Sequence, residues 1–214
     1  GSHLVEYLSA QGASVTALVQ YNSRGSIGWL EKSSPESENR WVTVSGNLCD
    51  VELVKSLVSK VDVVLNLAAL IGIPYSYRAP RSYFEVNVLG TLNVLEALRG
   101  RNDCLLIQMS TSEVYGSAKT LPIAESHPLQ AQSPYSASKI GAEATAIGLG
   151  GCAQPTLGAL DRLAMDDQCR IPAIFGQVAR TDIGTPKRRA RDDAEAVIAQ
   201  RLAEADFTRQ RQFL

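Results

Sequence analysis

Cysteine and histidine are scarce in this chain. The four cysteines are Cys49, Cys104, Cys152 and Cys169, and the two histidines are His3 and His127. None of the cysteines forms a CxxC pair, and the histidines lie far apart in sequence. That spacing argues against a zinc site, any other metal centre or a disulfide framework, and free thiols in a reducing cytoplasm are the simpler reading. Surplus charge is also lacking: the formal net charge is −1, so no basic surface points to nucleic acid or anionic lipid. The short basic cluster from Lys187 to Arg191 is balanced by neighbouring acids. No apolar run approaches the roughly 18 residues of a membrane span. No charged-then-apolar segment opens the chain, so a secretory signal is not expected and the expected location is cytoplasmic.

What is present suits an α/β protein. The chain has 214 residues, 45% of them hydrophobic, enough for one buried core and a partial second unit. Leu4, Val5 and Leu8 fall on one face of a short helix ending near Gly12. Ser14 to Val19 is apolar and β-branched and reads as a buried strand. Residues 21–40 are polar and read as a loop, with Trp29 and Trp41 as packing residues. Trp41 to Val44 predicts a second strand. Asp50 caps a helix running to about Ser59. Val61 to Ala69 is a strongly apolar strand. Residues 80–100 carry Phe84, Val88, Leu92, Leu95 and Leu98 at helical spacing, stopped by Gly100. Cys104 to Met109 predicts another strand, and Pro134 opens a last helix. Nearly all-apolar strands alternating with helices imply a doubly wound parallel sheet covered on both faces. Such sheets bind ligands beyond the carboxyl ends of their strands.

Two motifs carry chemistry. Tyr135 and Lys139, at i and i+4, share one helix face. A tyrosine is a poor base at its free pKa of about 10, and a nearby ammonium favours its phenolate. Upstream, at the end of an apolar strand, stands Ser110-Thr-Ser-Glu-Val-Tyr-Gly116. A hydroxyl there can hydrogen-bond a reacting alcohol, and a carboxylate there can move a carbon-bound proton.

With Asn66-Leu-Ala-Ala69, Asn87-Val-Leu-Gly-Thr91 and Gly46-Asn-Leu-Cys-Asp50, these motifs resemble the extended short-chain dehydrogenase/reductases, the NAD-dependent epimerase/dehydratase family. The resemblance runs from Gly1 to about Gly148. It implies a Rossmann-like fold, a nucleotide-sugar substrate and NAD. The Thr-Ser-Glu after the strand is similar to the sugar 4,6-dehydratases, whereas epimerases generally lack the Glu. Tyr21-Asn-Ser23 and Gly28-Trp-Leu30 are similar to a branch acting on amino sugars of nonulosonic acid pathways. The implied catalytic residues are Thr111, Ser112, Glu113, Tyr135 and Lys139. Tyr135 would take the 4-hydroxyl proton, Lys139 would lower the Tyr135 pKa and hold the nicotinamide ribose, and Thr111 would bond the 4-hydroxyl. Glu113 would take the C5 proton. Ser112 stands where some relatives have an acid, so Glu113 would serve as both base and acid or Ser112 would relay through water. The implied cofactor residues are Gly1, Asn22, Arg24, Asn47, Leu48, Leu67, Ala68, Ala69, Asn87 and Lys139. Asn47 replaces the family's usual Asp. No acid follows the second strand to read a ribose 2′-hydroxyl; Arg24 would suit a 2′-phosphate, so NADP stands open beside NAD. The resemblance also implies a homodimer paired through the helix over 80–100.

The pattern breaks at both ends. The family opens with a strand and a GxxGxxG turn, of which Gly1 matches the last glycine; Gly-Ser-His also reads as a tag scar. The expected sheet therefore lacks its first, central strand, with loss of most of the diphosphate site. The expected division is residues 1–149 as a partial NAD(P)-binding domain with the catalytic residues, and 150–214 as an atypical tail. All seven tyrosines and both tryptophans precede Leu149. The family's strand with its Arg-Pro-x-Asn-x-Tyr-Gly-Pro-like loop and the substrate domain that follow the last helix are not visible, and the Arg-rich, Ala-rich tail resembles out-of-frame translation or an unrelated fusion more than a divergent helical cap. Within it, Ile171 to Phe175 reads as a strand and Asp192 to Asp206 as an amphipathic helix; the rest is irregular. Three functions follow: a nucleotide-sugar 4,6-dehydratase, a 4-epimerase on the same scaffold, or a non-catalytic remnant that binds no cofactor.

Overall fold

The computed structural model describes residues 1–32, 41–153, 156–159 and 212–213. The expected elements at 171–175 and 192–206 lie outside them. Strand β1 is Ser14–Gln20, β2 is Trp41–Gly46, β3 is Val63–Asn66, β4 is Leu105–Gln108, β5 is Thr156–Ala159 and β6 is Gln212–Phe213. They form one sheet in the order β2-β1-β6-β3-β4-β5, with every pairing parallel. β1 pairs β2 from Val15 opposite Trp41 to Gln20 opposite Gly46. β6 bridges the middle: Gln212 lies opposite Ser14, and Phe213 lies opposite both Val15 and Val63. The central place between β1 and β3 is thus held by residues from the segment expected to be irregular or helical. The strand β5, which sequence reading did not see, follows the last helix and pairs with β4 from Leu105 to Gln108.

The helices are α1 (Ser2–Ala10), α2 (Val51–Val58), the short α3 (Ile73–Ser76) and α4 (Pro80–Tyr83), α5 (Gly90–Ala97) and α6 (Pro134–Ala153). Asp50 caps α2 as its position predicts, its side chain accepting from the Leu53 amide at 3.1 Å. The helix expected over 80–100 is interrupted by a π turn at Phe84–Leu89. Such widened turns often mark functional positions, and this one carries Asn87. The strand expected over 61–69 pairs only over Val63–Asn66, because the chain turns there, with the Leu67 amide bonding back to the Leu65 carbonyl at 3.0 Å.

Alternation along each strand sends successive side chains to opposite faces. Val64 and Leu106 join Val54, Val58, Val94, Leu95, Leu98 and Ala146 in a core between the sheet and α2, α5 and α6. Val15 and Val63 face the other way, toward Val5 and Leu8 of α1 and Leu30. Among the described residues no helix is long and apolar enough to cross a membrane, and no group of His, Cys, Asp and Glu side chains is placed to hold a metal ion.

Candidate active site at the carboxyl edge of the sheet

β4 ends at Gln108, and the chain runs through Met109 and Ser110 to Thr111. Thr111 caps a 3-10 turn over Ser112–Tyr115, its hydroxyl accepting from the Glu113 amide at 3.3 Å. This turn fixes where the motif's side chains emerge. Val114 and Tyr115 are buried, while Ser112 and Glu113 are exposed beside the strand end. Gly116 follows with φ +63, and a Cβ there would stand 2.6 Å from the Gln130 carbonyl oxygen. Only glycine lets the loop fold back this closely, where the Gln130 amide donates to the Val114 carbonyl at 2.8 Å. Buried His127 pins the same loop: its Nε2 accepts from the Lys119 amide at 3.2 Å and its ring stands edge-on to Tyr115.

α6 packs against this turn and carries Tyr135 and Lys139, both buried. The Lys139 ammonium donates to the Met109 carbonyl at 2.7 Å. One hydrogen bond therefore joins the two motifs. Burial pushes the Lys139 pKa down, and the charge of Glu143 opposes that shift. The ring of Tyr135 meets Tyr83 edge-on at 6.3 Å, and the Tyr83 hydroxyl donates to the Gly72 carbonyl at 2.5 Å.

Behind the site runs a buried polar network. Asn66 donates to Gln108 at 2.7 Å and to Thr91 at 3.4 Å, and Thr91 donates to the Asn87 carbonyl at 2.7 Å. The Asn87 side chain clamps Leu70, accepting from its amide at 2.8 Å and donating to its carbonyl at 3.0 Å, and it also donates to Ser138 at 2.9 Å. The π turn, the loop after β3 and α6 are thereby locked together.

A cavity of about 430 Å³ opens beside this network between β1 and β3. Gly1, Asn47, Leu48, Leu67, Ala68 and Ala69 all line it, together with α1 residues Leu4, Val5 and Leu8. Four residues expected to contact cofactor do not line it: Asn22, Arg24, Asn87 and Lys139. Asn22 spends its side chain on its own turn, donating to Gln20 and Ser26 carbonyls and accepting from the Arg24 and Ser26 amides. Asn87 is 1% exposed and saturated by Leu70 and Ser138, so it orients the cavity wall from behind. Sequence reading missed Glu143, Ser138 and Gln108. The i+4 spacing from Lys139 to Glu143 was the signal for the first; the other two reveal themselves only through their partners.

The comparisons agree with this architecture. A family model described as GDP-mannose 4,6 dehydratase matches residues 1–149. The chain belongs to this family of extended short-chain dehydrogenase/reductases, whose members are NAD-dependent epimerases and dehydratases. A dTDP-glucose 4,6-dehydratase of Actinoplanes is 34% identical over 152 residues, covering 69% of this chain and 48% of the relative. A UDP-glucose 4-epimerase of Lactobacillus helveticus is 30% identical over 142 residues, covering 65% of this chain and 41% of the relative. Among solved structures, the NAD-dependent NDP-hexosamine 5,6-dehydratase TunA, involved in tunicamycin biosynthesis, superposes with TM-score 0.62 at 31% identity, covering 74% of this chain and 49% of that one. The dTDP-glucose 4,6-dehydratase DesIV of Streptomyces venezuelae, solved as a double mutant with NAD bound, gives 0.66 at 27% identity, covering 74% and 51%. The chain thus spans about half the length of these relatives.

Proposed function

We propose that this chain carries the NAD-binding and catalytic half of a nucleotide-sugar 4,6-dehydratase. The observation that carries the reading is the bond from Lys139 to the Met109 carbonyl, which brings the Tyr135–Lys139 helix face against the strand end bearing Thr111 and Glu113. The cavity supports the cofactor. The first-turn amides of the nine-residue helix α1 have no intrahelical acceptor, and Gly1, Leu4 and Val5 line the cavity beside them. A helix amino end suits a diphosphate. A Cβ at Gly1 would meet nothing within 4 Å, so the approach is open. Asn47 and Leu48 would hold the adenosine end, and the small Ala68 and Ala69 leave room for the chain of the dinucleotide. When bound, NAD would accept hydride from C4 of the sugar and return it at C6.

The protein's own groups do the rest. Tyr135 takes the 4-hydroxyl proton, helped by the Lys139 ammonium on the same helix face. Thr111 bonds that hydroxyl. The new 4-ketone acidifies C5; the exposed Glu113 carboxylate removes that proton and passes it, directly or through Ser112, to the departing C6 hydroxyl, which leaves as water, and C5 is reprotonated with the proton that Tyr135 took. We propose 1–149 as the unit that holds this chemistry, and pairing of two copies through the surface around the π turn, where Phe84 and Leu89 are exposed.

Glu113 separates a dehydratase from an epimerase, since epimerisation needs no C5 base. Calorimetric titration with NAD(H) and NADP(H), followed by turnover on dTDP- and UDP-sugars, tests the reading. The expected result is saturable binding, a 4-keto-6-deoxy product, and at least a hundredfold loss of that product in Glu113→Gln, the scale at which a general base contributes. Epimer formation without the keto product would make it an epimerase, and absence of cofactor binding by the folded chain would remove the enzymatic reading altogether.

A further inference from the structure

We propose that Glu143 is a positioning residue of this site, its half-buried carboxylate holding Ser110 at the end of β4 while its charge faces the buried Lys139 ammonium one turn away on α6. Ser110 donates its hydroxyl to Glu143 Oε1. Lys139 donates to the carbonyl of Met109, the residue before Ser110. Two bonds therefore cross between the same turn of backbone and the same face of α6, one from each direction. Tyr135, Lys139 and Glu143 follow one another at intervals of four, so they rise along a single face of the helix. Thr111 is next to Ser110 in the chain, and any slip of the strand end relative to α6 would carry Thr111 and Glu113 away from Tyr135.

The cluster also answers a charge question. Lys139 is 3% exposed, and an ammonium buried this deeply tends to lose its proton. A neutral Lys139 could not favour the Tyr135 phenolate. Among the described residues, the other titratable groups on elements packed against α6 are Tyr75 on α3, Arg81 and Tyr83 on α4, Glu85 on the π turn, Glu96 on α5, and Glu113 and Tyr115 on the 3-10 turn. Arg81 and Glu85 pair with each other, and Glu96 pairs with Arg99. Glu143 is the charge that opposes the burial of Lys139. It is the sole carboxylate within the described length of α6.

The catalytic meaning of this cluster rests on the dehydratase reading, but its test needs neither cofactor nor sugar, so the two can fail separately. The Lys139 ammonium is followed by 15N NMR of lysine-labelled protein across pH, assigned with Lys139→Arg. Glu143→Gln keeps the size and an acceptor for Ser110 while removing the charge. Its Lys139 midpoint is expected to fall below that of the parent, and Ser110→Ala, which keeps the charge, is expected to move it less. An unchanged midpoint in folded Glu143→Gln overturns the proposal. Should that variant fail to fold, Lys139→Met must raise the midpoint of the Glu143 carboxyl, read by 13Cδ shifts. An unmoved carboxyl midpoint overturns it equally.

Discussion

The two sides of the site are built differently. On the side of β4 and α6, almost every buried polar group has a partner within the protein, from Asn66 and Gln108 through Asn87 and Ser138 to Lys139. Three helices cover that core. On the side of β1 and α1 a cavity reaches into the sheet, and among the described residues β1 and β3 are joined only through the two residues of β6. A satisfied polar network is rigid because breaking any member strands the others in a medium that cannot solvate them. A cavity has no such constraint. The proposed catalytic groups therefore sit on the part of the molecule that positions them tightly, and the proposed cofactor cleft sits on the part that leaves room.

Core truncation offers the sharpest test of this contrast. Leu106 is completely buried in the α2, α5 and α6 core, and Leu106→Ala should cost about 2–5 kcal/mol by loss of burial plus a new void. Leu8 is almost as buried but borders the existing cavity, where neighbours have space to relax. Leu8→Ala should fall toward the low end of that range. Urea denaturation of the two variants, with the order reversed, would show the two sides to be packed alike. A smaller effect is expected from Asn87→Ala, which leaves the Leu70 amide and carbonyl without their partner at a cost of about 1–3 kcal/mol. Hydrogen exchange should show the Leu70 amide opening first, and unchanged exchange there would mean the clamp does not hold the loop. Truncation before Gln212 should weaken the molecule least, by about 1–3 kcal/mol at most for a few ladder bonds. Faster exchange is expected around Ser14, Val15 and Val63, with the β4–β5 pairing untouched. Equal loosening on both sides would mean that the bridge supports the whole sheet.

Much of this was legible in the linear chain because it rests on local rules. Apolar strands alternating with helices announce a parallel sheet, Asp50 announces a helix start, and the Tyr135–Lys139 spacing places both on one helix face whatever surrounds them. Thr111 and Glu113 were readable for the same reason, since a polar cluster directly after a buried strand must emerge at its carboxyl end. The helix over 80–100 was legible as a helix, but its π turn was not, because the turn goes with a bond from Asn87 to Leu70, far off in sequence. Asn22 and Arg24 were read by their place after β1, yet the Asn22 side chain closes its own turn and Arg24 lies away from the cavity.

The sequence by itself determined the class of fold, the position of the two chemical motifs and the direction in which they point, all consequences of periodicity and of chain neighbours. Only the tertiary structure decided that Gln212–Phe213 stands between β1 and β3, that Asn87 works from behind the cavity wall, and that Glu143 meets Ser110. Each of these joins segments separated by many residues. Such meetings are set by which buried groups must find partners once water is excluded, and no local pattern records that choice.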